Sequence, residues 1–283
     1  MATSEVPAAP RAAGSTAAPK RGRRQSDVDA FGRSERFRAV ARLVFGPVYR
    51  WWFRVEWEGL EHVPASGGAL LVANHAGALP PDAAVILHGI EEELGRPVYG
   101  LADHLFRDLP LVGTVWSRVG GVVGHPDNAE RLLRDDGALV LVFPEGAKGP
   151  AKTYRHRYQL RRFGRCGFVE IAMRAGVPII PIAVVGAEEA MPSVASFPDG
   201  ARRLGLPYLP LTANQLVFGP LGALTWFPAK LRLRVLPPVT FDEPPGLPRY
   251  SRSRVMDAAD AIRLDLQAAL YDMLRTRRSI WLG

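Results

Sequence analysis

Apolar positions along this chain fall into two periods. Three uninterrupted apolar runs, GALLVA (68–73), ALVLVF (138–143) and VPIIPIAVVG (177–186), are short and rich in β-branched residues. That is the pattern of strands buried on both faces. VYGLA (98–102) is a weaker strand candidate, and KLRLRVLPPVTF (230–241) alternates charge with apolar residues, so it predicts a late strand exposed on one side. Between these runs lie stretches of helical period. PDAAVILHGIEEELG (81–95) opens with Pro and Asp, as helix starts do, and HPDNAERLLRDDG (125–137) and EIAMRAG (170–176) also read as helical. In the closing stretch 253–277, Val255, Ile262, Leu266, Leu270 and Met273 share one face of an amphipathic helix. Buried strands alternating with helices predict an α/β fold, a mostly parallel central sheet flanked by helices. The segment 192–228 is rich in Pro and Gly and shows no period.

Upstream of the first buried strand the pattern changes. Residues 1–30 are rich in Ala, Pro, Ser and Arg and include the basic cluster KRGRR (20–24), a composition that predicts a disordered basic tail. There is no apolar central region of a signal peptide. Residues 31–59 follow as an amphipathic segment. Val40, Leu43, Val44, Pro47 and Trp51 fall on one helical face, with Arg36, Arg38, Arg42, Arg50 and Arg54 interleaved and Tyr49, Trp51, Trp52 and Phe53 clustered behind. Two readings fit. Arginine stems and amphipathic rings suit the headgroup layer of a membrane; equally, the helix packs on its own domain with the arginines solvated. Residues 60–283 then form the main domain.

Composition narrows the partner. The 283 residues are 47% hydrophobic and 23% charged, with a net charge of +8, so an anionic partner is expected: membrane surface, phosphorylated small molecule or nucleic acid. The single cysteine, Cys166, excludes an internal disulfide and fits a reducing compartment. No run approaches the roughly 18 apolar residues that a transmembrane helix needs.

Two stretches carry candidate chemistry. In ANHAGALPPD (73–82), His75 stands just past the end of a buried strand, where open α/β sheets collect ligands. Asp82 falls in the first turn of the next helix, whose dipole favours a negative charge. A carboxylate holding one imidazole nitrogen leaves the other basic, as a general base requires; the bland alternative is a strand-end histidine satisfying local hydrogen bonds. In VFPEGAKGPAKTYRHRYQLRRFGR (142–165) a strand ends in Phe-Pro-Glu-Gly and a dense basic run follows, with Lys148, Lys152, Arg155, Arg157, Arg161, Arg162 and Arg165. A glycine-containing loop followed by cations commonly seats a phosphate; a solvated basic surface, with Glu145 merely pairing its neighbours, is the other reading. GAKGPAKT fails the nucleotide-binding P-loop pattern, because Ala151 replaces its second Gly and Pro150 removes a backbone donor. No serine sits in a G-x-S-x-G turn, and the six histidines lack metal-ligand spacing, so neither a serine nucleophile nor a metal is expected.

Taken in order, four blocks resemble the glycerolipid acyltransferase family, which contains the 1-acylglycerol-3-phosphate acyltransferases: ANHAGALPPD, GGVVGHPDNAERLL (120–133), VFPEGAKG (142–149) and VPIIPIAVVGAEE (177–189). The resemblance covers 60–239. It implies transfer of an acyl group from acyl-CoA or an acyl carrier protein, as co-substrate, to a hydroxyl of a lysophospholipid or other glycerolipid. No further cofactor and no nucleic acid are implied. His75 matches the family's catalytic base and Asp82 its partner. Asn74 beside the base, Glu145 and Gly146 of the Glu-Gly pair, and Lys148 with Lys152 or Arg157 are the residues expected to bind substrate. The protein is then expected at the cytoplasmic side of a membrane, peripheral or monotopic, on an anionic lipid surface. Three departures from the pattern stand out. Six residues (76–81) separate His from Asp where the family has four. Ala147-Lys148 replaces a small residue and Arg after FPEG. Gly124-His125 stands where the second block carries an arginine. A neutral or glycolipid acceptor, and a non-catalytic protein that binds anionic lipid, remain the alternative readings.

Overall fold

A computed structural model describes residues 27–283 apart from Ala78, 103–111 and 164–165. Arg165 and the cluster 20–24 therefore lie outside the described residues. The three apolar runs form the middle of a seven-stranded sheet with the order β1-β9-β6-β2-β5-β3-β4. Here β1 is Glu56–Glu58, β2 Ala69–Ala73, β3 Val98–Ala102, β4 Gly121–Val123, β5 Leu139–Val142, β6 Ile179–Val185 and β9 Arg232–Val235. Every pairing is parallel except that of β6 with β9.

The two-residue period of the central strand divides the core. Ala69, Leu71 and Ala73 of β2 face one side, packing with Val85, Ile86 and Ile90 of helix α2 (Pro81–Leu94). Leu70 and Val72 face the other, with Val169 and Met173 of the helix Gly167–Ala175 and Ile262, Leu266 and Leu270 of the closing helix Arg252–Thr276. All these side chains are buried. A one-residue slip of β2 would exchange the two sets, so the register is fixed by both cores together.

The amino-terminal region departs from expectation in three ways. Asp27–Ala30 was expected in a disordered tail, yet Val28 bridges to Ser34 and Ser34 Oγ donates to Asp27 at 2.6 Å. The region 31–59 is not separate from the main domain, because β1 lies within it and pairs with β9. Third, most arginines in and around helix α1 (Glu35–Pro47) are paired with the main domain. Arg33, Arg38 and Arg42 converge on Glu91 of α2, whose side chain is 7% exposed. Arg50 pairs with Glu92, and Arg54 donates to backbone carbonyls that include Pro228 O. Charge thus binds α1 inward, and an apolar face of it is left outside: Val40, Leu43 and Val44, with Trp51 just past its end, are all at least 60% exposed.

β9 is likewise not simply half-solvated: Leu233 and Val235 are buried, while Arg232 and Arg234 pair with Glu56, Glu58 and Asp272. The unpatterned segment 192–228 has structure of its own. β7 (Ser193–Ser196) and β8 (Pro210–Thr212) form a two-stranded antiparallel sheet. A short helix, Ala213–Phe218, follows with Thr212 and Gln215 as a capping box. Among the described residues no helix is long and apolar enough to cross a membrane.

Candidate active site

The site is built where β2 ends, between β5 and β6. Asn74 is the first residue past the strand. Its side-chain amide donates to Val184 O at 3.0 Å and accepts from Val184 N at 2.7 Å, so it continues the ladder to β6 with a side chain in place of backbone. Asn74 is 1% exposed and both its polar groups are consumed; expected to bind substrate, it instead fixes the direction in which the chain leaves the sheet.

His75 follows. Its Nδ1 lies 3.1 and 3.2 Å from the two carboxylate oxygens of Asp82, so the two added residues of the intervening turn do not break the pair. Asp82 is fully buried at the start of α2, accepting from Ala76 N at 2.8 Å and Ala83 N at 2.6 Å. With Asp82 as acceptor, Nδ1 carries the proton and Nε2 keeps its lone pair. The imidazole stacks on Phe143, with centroids 4.0 Å apart and planes at 17°, and its side chain is 15% exposed. Nε2 makes no hydrogen bond among the described residues. A buried carboxylate on one edge, an aromatic plate on one face and one open nitrogen make a proton acceptor of fixed orientation.

The lengthened turn is held from outside. Trp226 Nε1 donates to Leu79 O at 2.8 Å, and Leu79 N meets Met191 Sδ at 3.0 Å. Gly77 has φ +83°, a backbone conformation that favours glycine, and a Cβ there would lie 3.1 Å from Pro81 Cδ. Tyr208, in the same 192–228 segment, is pushed up to about 12 by burial and by the charge of Asp82. Neither Trp226 nor Tyr208 stands out by pattern in the sequence, because an irregular segment gives no period from which to place a side chain.

The loop after β5 behaves differently. Glu145, expected to touch substrate, is buried: it accepts from His75 N at 3.3 Å and Arg161 N at 2.8 Å and pairs with Lys152 Nζ at 3.2 Å. Lys152 is itself only 3% exposed, within 3.3 Å of Glu188 and of Gln159 O. Neither has a face left for a phosphate. They form an internal ion cluster that ties the backbone of His75 to the basic loop. Burial pushes the Glu188 carboxyl up to about 7, with Lys152 pulling the opposite way. Below it, Tyr158 at φ +59° donates its hydroxyl to Glu189 and accepts from Gly186 N at 2.9 Å. Gln267 of the closing helix clamps Tyr158 O and Leu160 N at 2.7 and 2.8 Å.

Gly146 and Lys148, also expected to bind substrate, are exposed. Gly146, at φ +54°, opens an exposed 3₁₀ turn, Gly146–Lys148, and the Lys148 ammonium has no ion pair among the described residues. Arg157 is exposed and lies over the Tyr154 ring, 4.5 Å from its centroid, away from the His75 pair and beside Arg155.

The site is thus a His–Asp pair at the end of the central strand of a mostly parallel sheet, with a Glu-Gly turn on the adjacent strand. The acyltransferase family model matches residues 54–185, and the chain belongs to that acyltransferase family. An uncharacterised protein of Mycobacterium tuberculosis is 37% identical over 90% of this chain and 72% of its own length. A Bos taurus protein described as "DGAT1/2-independent enzyme synthesizing storage lipids" is 25% identical over 81% of this chain and 67% of its own. In fold, the chain is similar to the crystal structure of the 1-acyl-sn-glycerophosphate acyltransferase of Thermotoga maritima, with a TM-score of 0.50, 18% identity, and coverage of 84% and 83% of the two chains.

Proposed function

We propose that this acyltransferase moves an acyl group from an acyl thioester, acyl-CoA or acyl carrier protein, to a hydroxyl of a lysophospholipid or related glycerolipid at an anionic membrane surface. The observation that carries the reading is the His75–Asp82 pair with Nε2 open. His75 Nε2 removes the proton of the acceptor hydroxyl as its oxygen attacks the thioester carbonyl; Asp82 holds the tautomer and the positive charge that develops on the ring. Collapse of the tetrahedral intermediate expels the thiolate, which recovers the proton from His75. No acyl-enzyme is needed. General-base assistance is worth roughly 10²–10⁴ in rate, and positioning of the two substrates supplies the rest.

Lys148, on the exposed turn beside Gly146, meets the anionic end of a substrate. Val40, Leu43 and Val44, turned outward on α1, and Trp51 just past its end enter the headgroup layer at the cytoplasmic face as a peripheral anchor. A neutral acceptor is the second reading. It is favoured by the burial of Lys152 against Glu145 and Glu188, which removes one expected phosphate ligand. Thiol release from acyl-CoA, followed with lysophosphatidic acid and separately with a neutral monoacylglycerol, tests both. Acceptor-dependent release with either supports acyl transfer and ranks the acceptors; release that ignores every acceptor overturns the reading.

A further inference from the structure

Two cations of the basic run, Arg155 and Arg157, lie together at another place. A cavity of about 520 Å³ lies between the basic loop and the end of the closing helix, lined by Arg155, Arg157, Tyr271, Arg277 and Arg278. Arg277 is spent within the protein, on Glu189 at 3.0 Å and on backbone carbonyls. Glu189, the carboxylate in the cavity wall, is paired with Arg277 and accepts a hydrogen bond from the Tyr158 hydroxyl. Arg155 and Arg278 are exposed and have no ion pair or side-chain hydrogen bond among the described residues, and Arg157 bonds only the carbonyl of Tyr154, at 3.3 Å. Three guanidinium forks therefore surround one concavity with no carboxylate partner of their own. That arrangement repels itself unless an anion fills it, and planar forks suit phosphate oxygens two at a time.

The cavity is not isolated. A second one of about 600 Å³ shares Arg155, Glu189 and Ile280 with it and is walled by Tyr154, Pro192, Val194 and Phe227. A third, very small one shares Thr153, Tyr154 and Ser193 with the second and reaches Gly77 and Gly149. Gly149 backs directly onto the active site: a Cβ there would stand 2.9 Å from His75 Cβ. A cationic cavity, a more apolar one beside it and a void of about 10 Å³ against the turn after His75 thus share lining residues one after another.

We propose that the Arg155/Arg157/Arg278 cavity binds the phosphoester end of one of the two substrates, whose less polar stem runs through the adjacent cavity toward His75. The inference rests on the acyl-transfer reading for the word substrate, but not for the site itself. Two substrates could supply this chemistry: the phosphorylated carrier of the acyl donor, or the headgroup phosphate of the acceptor.

Calorimetric binding to the full chain separates them without turnover. Coenzyme A is titrated in one arm and sn-glycerol 3-phosphate in the other, at matched ionic strength. The proteins are wild type, R155E/R278E and the charge-preserving R155K/R278K. The expected result is a Kd at least tenfold weaker in R155E/R278E for one of the two ligands, with R155K/R278K within about threefold of wild type. Loss in the first arm assigns the donor, loss in the second the acceptor. Equal binding by wild type and R155E/R278E in both arms, or no binding by wild type in either, overturns the proposal. A failure of acyl transfer itself would appear as absent thiol release while this binding difference persists.

Discussion

Two loops leave neighbouring strands at the same end of the sheet, and they treat their charges in opposite ways. The turn after β2 buries Asp82 behind His75 and leaves Nε2 open. The loop after β5 has more ionisable groups, yet its Glu145 and Lys152 pair inside the protein, with Glu188 from the turn after β6 beside them. The difference shows that a charge in a motif is chemically available only when its neighbours leave it unsatisfied. On the proposed mechanism the first loop carries the chemistry, and the second holds it through the contact from His75 N to Glu145.

Substitutions on the two sides should therefore fail differently. His75→Ala is expected to lower kcat by about 10²–10⁴ and to cost less stability than the loss of Lys152, since Asp82 keeps its two backbone donors. Lys152→Ala should do the reverse in kind, costing roughly 3–5 kcal/mol of unfolding free energy because two buried carboxylates lose their cation. Chemical denaturation of both variants checks the contrast; a stable Lys152→Ala protein would mean that the cluster is not structural.

A smaller effect is expected from Glu188. Its carboxyl titrates near 7 when folded instead of about 4.5. Between those values the folded chain keeps a proton that the unfolded chain has lost, so this group's contribution to stability falls as pH rises through that window. The drop is at most about 3 kcal/mol. The difference in unfolding free energy between wild type and Glu188→Gln, measured from pH 4.5 to 7.5, should decline accordingly; a flat difference would contradict the assignment. On the membrane side, L43S/V44S on α1 should weaken sedimentation with anionic vesicles several-fold while leaving activity on a soluble short-chain acceptor intact. Lys148→Ala should act least, raising the KM of the phosphate-bearing substrate about two- to fivefold, in line with one exposed cation.

Much of this was legible in the sequence, for reasons that differ by region. Strands β2, β5 and β6 are apolar on both faces, and only a sheet covered on both sides accepts that. His75 and Asp82 could be read because a strand end and a Pro-initiated helix fix where each backbone goes. What was not legible depends on partners distant in the chain. Nothing in 31–59 reveals that Glu91 will collect Arg33, Arg38 and Arg42 and so turn the apolar face of α1 outward. Asn74 and Lys152 have residue types common in binding sites, yet Val184 and Glu188 consume them. Trp226 and Tyr208 reach the active-site turn from a segment without period, where no local rule predicts direction.

The central claim is that the open imidazole nitrogen takes the acceptor's proton. Single-turnover acyl transfer by His75→Ala, with donor and acceptor both at saturating concentration and their binding verified, tests it most directly. The account predicts a rate constant reduced at least a hundredfold with both substrates still bound. Transfer at the wild-type rate would contradict it.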